Sequence, residues 1–205
     1  MPANKITVEA EPVIPYVPKD KMPQQLMGVL EPYEKRMGFV PNALKLYAYR
    51  PEIAETLWRL NSNVMRDPSS TLDQFLKRRL SALASVVNGC AYCTSHCCSM
   101  LKKPTSAGFE GWGLADDDVR ALLAEDYEPK DEFERVCFDF VRAASADPAN
   151  VPDEIHQRLV KHLSPPQIVE LACVVGFWKF YNTVHDSLHI PLESSLLPDS
   201  GWVDV

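Results

Sequence analysis

Basic runs, a leader-like apolar stretch, strand patterning and internal repeats are all missing from this sequence, and each absence narrows what the chain can be. No block of five or six Lys or Arg occurs in its 205 residues and the formal net charge is -7. A surface that attracts nucleic acid or an anionic membrane is therefore not expected. The longest cationic cluster, Lys77-Arg78-Arg79, interrupts an apolar pattern and reads as a solvated or subunit-facing helix surface. The first thirty residues carry Pro2, Pro12, Pro15, Pro18 and Pro23 among scattered charges and lack the continuous apolar stretch of a signal peptide. The expected compartment is the cytoplasm. With 46% hydrophobic residues the chain is long enough to bury a core, and one domain is expected.

Cysteine, by contrast, is plentiful and unevenly placed. Of the six, Cys90, Cys93, Cys97 and Cys98 fall within nine residues, while Cys137 and Cys173 stand singly in apolar stretches and read as small buried hydrophobes. The chain is too large and too rich in ordinary core residues for a disulfide-stapled secreted module. In a reducing compartment the cluster points to redox chemistry or metal binding.

Nearly everything between the termini reads as helix. Residues 1–22 form an expected extended N-terminal arm, 23–191 a single helical domain, and 192–205 a C-terminal tail. Ile53, Leu57, Leu60 and Val64 repeat at helical spacing after Pro51, and Asp67-Pro68 ends that run. Thr71 with Gln74 matches a capping box ahead of Leu72, Phe75, Leu76, Leu80, Leu83 and Val87, and Asn88-Gly89 supplies a stop. Further helices are expected near 116–124, 131–145 and 152–162. The last, from Pro165 to about His189 behind a Ser164/Gln167 cap, is apolar almost all round and should be the most buried element.

The segment NGCAYCTSHC, residues 88–97, carries the chemistry. Two thiols three residues apart can approach disulfide distance. If a new helix starts at Cys90, its free N–H groups and dipole favour thiolate over thiol. His96 and Cys97 follow Cys93 by three and four residues and share its helical face, so the His96 imidazole can carry a proton for a thiol. Cys98 points elsewhere and reads as packing. His185 and His189 form an HxxxH pair, so a Cys2His2 zinc site with Cys90 and Cys93 is formally open. The favoured reading places the two histidines at the end of the last helix, complementing its negative pole.

These residues resemble a known family. The run LSALASVVNGCAYCTSH, residues 80–96, is similar to the core of the alkyl hydroperoxidase D-like (AhpD-like), carboxymuconolactone decarboxylase superfamily, in which a helix ends at Asn-Gly-Cys and CxYC opens the next. GFVPNALKLYAYRPEI, residues 38–53, and VVGFWKFYNTVHDSLHIP, residues 174–191, resemble the peroxidase-related branch. The resemblance implies an all-α fold, assembly into homo-oligomers, and a thiol-dependent peroxidase or dithiol-disulfide oxidoreductase acting on a hydroperoxide, with an external thiol or dithiol as reductant and no cofactor or metal. By position Cys93 would attack the peroxide and Cys90 resolve, whereas dipole reasoning alone favours Cys90 as the attacker. Tyr92 and Asn182 fall on motif positions and are supporting candidates.

Two positions depart from the family pattern. Its proton relay has a glutamate twelve residues before the first cysteine and a histidine four after the second; here these are Arg78 and Cys97. Arg78 cannot act as a base, although near the thiols it could lower their pKa. Along a straight helix it is roughly 18 Å away, so contact requires a fold-back at Asn88-Gly89. His96 is the expected substitute proton carrier, with Cys97 as a further thiol. The alternatives are cofactor-free acid-base chemistry on a lactone, or a non-enzymatic metal-binding or redox-sensing member of the fold.

Overall fold

Turn and cap chemistry delimits the helices. In the computed structural model, which describes residues 12–103 and 111–196, the described residues form nine α-helices and no strand. These are α1 (Met27–Met37), α2 (Asn42–Tyr47), α3 (Pro51–Arg66), α4 (Gln74–Val87), α5 (Ala91–Lys102), α6 (Asp116–Leu123), α7 (Glu132–Ala146), α8 (Asp153–His162) and α9 (Pro165–Ser187). The expected all-α class is borne out. Gly38 closes α1 at φ 81° and Gly89 closes the α4 turn at φ 75°, left-handed conformations that glycine adopts without a Cβ penalty. The cap of α4 differs from expectation: Asp73, not Thr71, accepts the Leu76 N–H, at 2.9 Å. Thr71 donates its hydroxyl to Glu170 on α9 instead. Gln167 does complete its part of the α9 cap, accepting from the Ser164 N–H at 2.9 Å.

Helix α4 is the hub and packs on α5, α7 and α9. Its residues Leu76, Leu80, Ala82, Leu83 and Ala84 are buried with Leu101, Val136, Leu171 and Val174 in one core. The cationic cluster on α4 is also inside, which corrects the expectation of a solvated surface. Lys77 is fully buried and paired with Glu170 at 2.7 Å. Arg79 makes a two-pronged pair with Glu134 on α7 at 2.5 and 3.0 Å. Such burial is tolerated because each charge finds a partner. On α9 the correction runs the other way: Val169, Cys173 and Phe180 are exposed, so the helix is buried on one side only, and Cys173 is not a core residue.

The arm and tail meet the body. Val13 N–H donates to the Leu188 carbonyl at 3.3 Å, and Lys19–Lys21 forms a 3-10 turn. Leu192, Glu193 and Leu196, which the sequence reading sets in the tail, are buried. The region from Pro198 and Trp202 lies outside the described residues. No helix among the described residues is long and apolar enough to cross a membrane.

Candidate functional site

The Asn88-Gly89 turn folds α5 back against α4, so Arg78 and Cys93 face one pocket although they are far apart along the chain. Cys90 N–H donates to the Ser85 carbonyl at 3.0 Å, and Cys90 becomes the N-cap of α5. Its Sγ accepts from the Cys93 N–H at 3.4 Å, a thiol standing where a capping hydroxyl usually does. Both cysteines are buried. Cys93 lines a pocket of about 100 Å³, whereas Cys90 lies behind it.

The pocket collects residues from six helices. Tyr33 and Met37 come from α1, Tyr47 from α2, Trp58 and Asn61 from α3, Arg78 from α4, and Tyr181 with His185 from α9. Tyr92, His96 and Cys97 of α5 complete it beside Cys93. Arg78 thus reaches the pocket that holds Cys93, as fold-back at Asn88-Gly89 requires.

The group that meets the Cys93 thiol is His185. Its Nδ1 is 3.1 Å from Cys93 Sγ and its Nε2 is 3.0 Å from Tyr47 Oη. Tyr181 stacks on the imidazole at 5.3 Å between ring centroids and 16° between planes. This corrects the expectation that His185 serves the helix pole. Burial pushes its pKa down to about 3, with the nearby His96 charge adding to the effect, so the imidazole is neutral, with one ring nitrogen an acceptor and the other a donor. His189 lies past the helix end at φ 49°. Among the described residues no group of three or more His, Cys, Asp or Glu is placed to hold a metal ion.

His96, expected to be the proton carrier for the thiols, turns to a different partner. Its Nε2 is 2.8 Å from Glu193 Oε2. Glu193 Oε1 also accepts from Tyr92 Oη at 2.9 Å and from the Asn42 N–H at 2.5 Å, and Tyr92 Oη accepts from the Ala43 N–H at 3.2 Å. One carboxylate therefore ties α5 to the start of α2. Burial opposes its ionisation, but the His96 charge and the hydrogen bonds outweigh that and hold its pKa below the usual carboxylate range.

Burial disfavours a resting thiolate at Cys93 and at Cys97. Burial pushes Cys93 well up, and its contact with Cys90 adds to the rise. At Cys93 the helix dipole does not offset this loss of solvent. Cys97 is pushed up to about 12 by burial, against the neighbouring Ser81 and Ser85 hydroxyls and the charge of Arg78. Asp186, one residue after His185, neighbours the Cys90 thiol. Asn182 is buried on α9, outside the pocket lining, with neither amide atom paired among the described residues.

No family model and no curated protein matches the chain. Solved structures do. The debrominase Bmp8 superposes with a TM-score of 0.75 at 21% identity, over 92% of this chain and 96% of that one, and a C82A form of it has been seen with 2,3,4-tribromopyrrole. A peroxidase-related protein from Silicibacter sp. TM1040 gives 0.73 at 20% identity, over 96% of both chains. A peroxidase-related protein with an AhpD core from Ralstonia eutropha JMP134 gives 0.70 at 14% identity, over 92% of this chain and 95% of that one. The fold is the AhpD-like fold of the peroxidase-related proteins, as the sequence resemblance implies.

Proposed function

We propose that this protein is a thiol-dependent oxidoreductase that reduces an organic hydroperoxide, with Cys93 as the attacking thiol, His185 as its base and Cys90 as the resolving thiol. The observation that carries the reading is the pairing of a pocket-lining Cys93 with a neutral, buried imidazole at 3.1 Å. Free thiolate and imidazolium are both disfavoured by burial, so proton transfer and attack belong to one step. Cys93 sulfur bonds to the distal peroxide oxygen as the O–O bond breaks. Its proton passes through His185, and the leaving alkoxide takes up a proton to become the alcohol. Cys90 sulfur then displaces water from the Cys93 sulfenic acid, forming the disulfide. The neighbouring Asp186 is the proposed acceptor of the Cys90 proton. An external thiol or dithiol restores the pair.

Treatment of the reduced protein with cumene hydroperoxide, followed by cysteine mapping by mass spectrometry, tests this. A Cys90–Cys93 disulfide and one alcohol per protein are expected; a pair that stays reduced refutes the reading. We further propose a homo-oligomer, in keeping with the exposed Val169 and Phe180 on α9, to be checked by light scattering.

A second reading is favoured by one feature, the aromatic wall of the pocket, built from Tyr33, Tyr47, Trp58, Tyr92, Trp178 and Tyr181. Such a wall suits a flat aromatic ligand. The same two thiols could remove bromine from an activated ring, becoming a disulfide while the ring gains hydrogen and bromide leaves. Bromide release from 2,3,4-tribromopyrrole, without peroxide turnover, would select this reading.

A further inference from the structure

A neutral imidazole has one donor nitrogen and one acceptor nitrogen, and His185 meets a proton-bearing group at each. Nδ1 is 3.1 Å from the Cys93 sulfur and Nε2 is 3.0 Å from Tyr47 Oη. Burial favours the protonated form of both partners, the thiol and the phenol. Only one of them can donate to the ring, so the other has to accept.

Two arrangements satisfy the ring. In one, Cys93 S–H donates to Nδ1, Nε2–H donates to Tyr47 Oη, and the Tyr47 hydroxyl proton is left for a third group. In the other, Tyr47 donates to Nε2, Nδ1–H faces the sulfur, and the thiol proton is left with the neighbouring Cys90 sulfur, a weak acceptor. The first is the one in which His185 can take the Cys93 proton. It also sends the spare proton toward the ligand. Tyr47 is half-buried and lines the pocket beside Cys93 and His185, and among the described residues His185 Nε2 is the only hydrogen-bond partner of its hydroxyl. Tyr47 ends α2, whose start is tied to α5 through Glu193, so its place is set by the fold.

We propose that Tyr47 is the proton exit of the reaction. As the Cys93 sulfur bonds to the distal peroxide oxygen and the O–O bond breaks, the thiol proton moves to Nδ1 and the Nε2 proton moves to Tyr47. The Tyr47 proton passes to the leaving alkoxide through one water, since the imidazole stands between the phenol and the sulfur. The products are the Cys93 sulfenic acid and the alcohol, with His185 in the opposite tautomer and Tyr47 again a phenol. Resolution runs the path backwards: Nδ1–H gives its proton to the hydroxide that Cys90 displaces, Tyr47 reprotonates Nε2, and water reprotonates Tyr47. The inference rests on the peroxidase reading for the leaving oxygen, whereas the tautomer it requires is a property of the resting protein.

Tyr47→Phe keeps the ring and removes the proton. In stopped flow on the reduced, full-length protein, oxidation of Cys93 by cumene hydroperoxide should slow at least about tenfold in this variant. Alkylation by iodoacetamide at pH 9, in which iodide leaves without a proton, should hold within about twofold. A purely structural role would slow both. Nitrogen-15 NMR of the parent reads the His185 tautomer without any turnover, and a proton on Nε2 is expected. Oxidation of the variant at the parent rate, equal slowing of oxidation and alkylation, or a proton on Nδ1 overturns the inference. Unchanged oxidation in the variant removes Tyr47 and leaves the peroxidase reading standing; a parent that stays reduced under peroxide removes that reading and this step with it.

Discussion

Cys93 Sγ and His185 Nδ1 stand 3.1 Å apart although 92 positions separate them in the chain. The contact exists because α9 packs against α5 with α4 beside both. In the proposed mechanism it makes Cys93 and His185 an acid-base pair, with Tyr47 holding the far imidazole nitrogen at 3.0 Å. Replacing His185 with Gln keeps the side chain polar and removes the proton acceptor. The rate of Cys93 oxidation by hydroperoxide, followed by stopped flow, should fall on the order of 100-fold, the lower range for loss of a positioned base. An unchanged rate in a folded His185→Gln protein would remove His185 from the mechanism.

The pH behaviour follows from the direction of two shifts. His185 is pushed down to about 3 and Cys93 well up. Neither group titrates between pH 5 and 8, so alkylation of Cys93 by iodoacetamide should be slow at neutral pH and keep rising above pH 9. A plateau by pH 7 would mean that the thiolate is already formed, contrary to the burial argument.

The fold was legible because its signals are local. Periodicity gave the helices, Asn88-Gly89 gave the stop of α4, and CxYC gave the candidate segment. What stayed hidden depends on packing between distant segments. His185 carries the same local signature whether it caps a helix or faces a thiol, and only the approach of α9 to α5 decides. Glu193 follows the last helix with no motif around it, yet it gathers His96, Tyr92 and the Asn42 N–H. Lys77 looks like a surface residue until its partner Glu170, on α9, is brought beside it. In each case a polar residue is placed by a partner about ninety or more positions away. Composition and spacing have no access to such partners.

That last pair gives a stability prediction independent of function. Lys77 Nζ donates to Glu170 at 2.7 Å and to the Val64 carbonyl at 2.9 Å, and it also contacts Ser70. Replacing Lys77 with Met leaves the Glu170 carboxylate without its cation, at a cost of about 1.5–3 kcal/mol, the range for a hydrogen bond to a charged group, since Glu170 is 16% exposed and keeps its Thr71 and Leu72 donors. Urea unfolding should show this as a lower midpoint. Adding Glu170→Leu should recover part of the loss, since no charge is then stranded; a double variant no better than the single one would assign the effect to packing instead.

Glu193 links stability to acid. Its pKa is held below the usual carboxylate value in the folded protein, so the unfolded chain binds the proton more readily. Its contribution is therefore complete above the unfolded value near 4.5 and is lost as pH falls through the lower folded value. Glu193→Gln keeps an acceptor for Tyr92 or the Asn42 N–H but loses the charge facing His96. At pH 6 the variant should be less stable by about 1–3 kcal/mol, the range for disturbing a buried charge-assisted hydrogen bond. Between pH 5 and 3 the parent should lose stability faster than the variant, and the two curves should converge. Parallel curves over that range, measured by urea unfolding at each pH, would show that Glu193 is not an ionised clamp and that α2 and α5 are held together by packing alone.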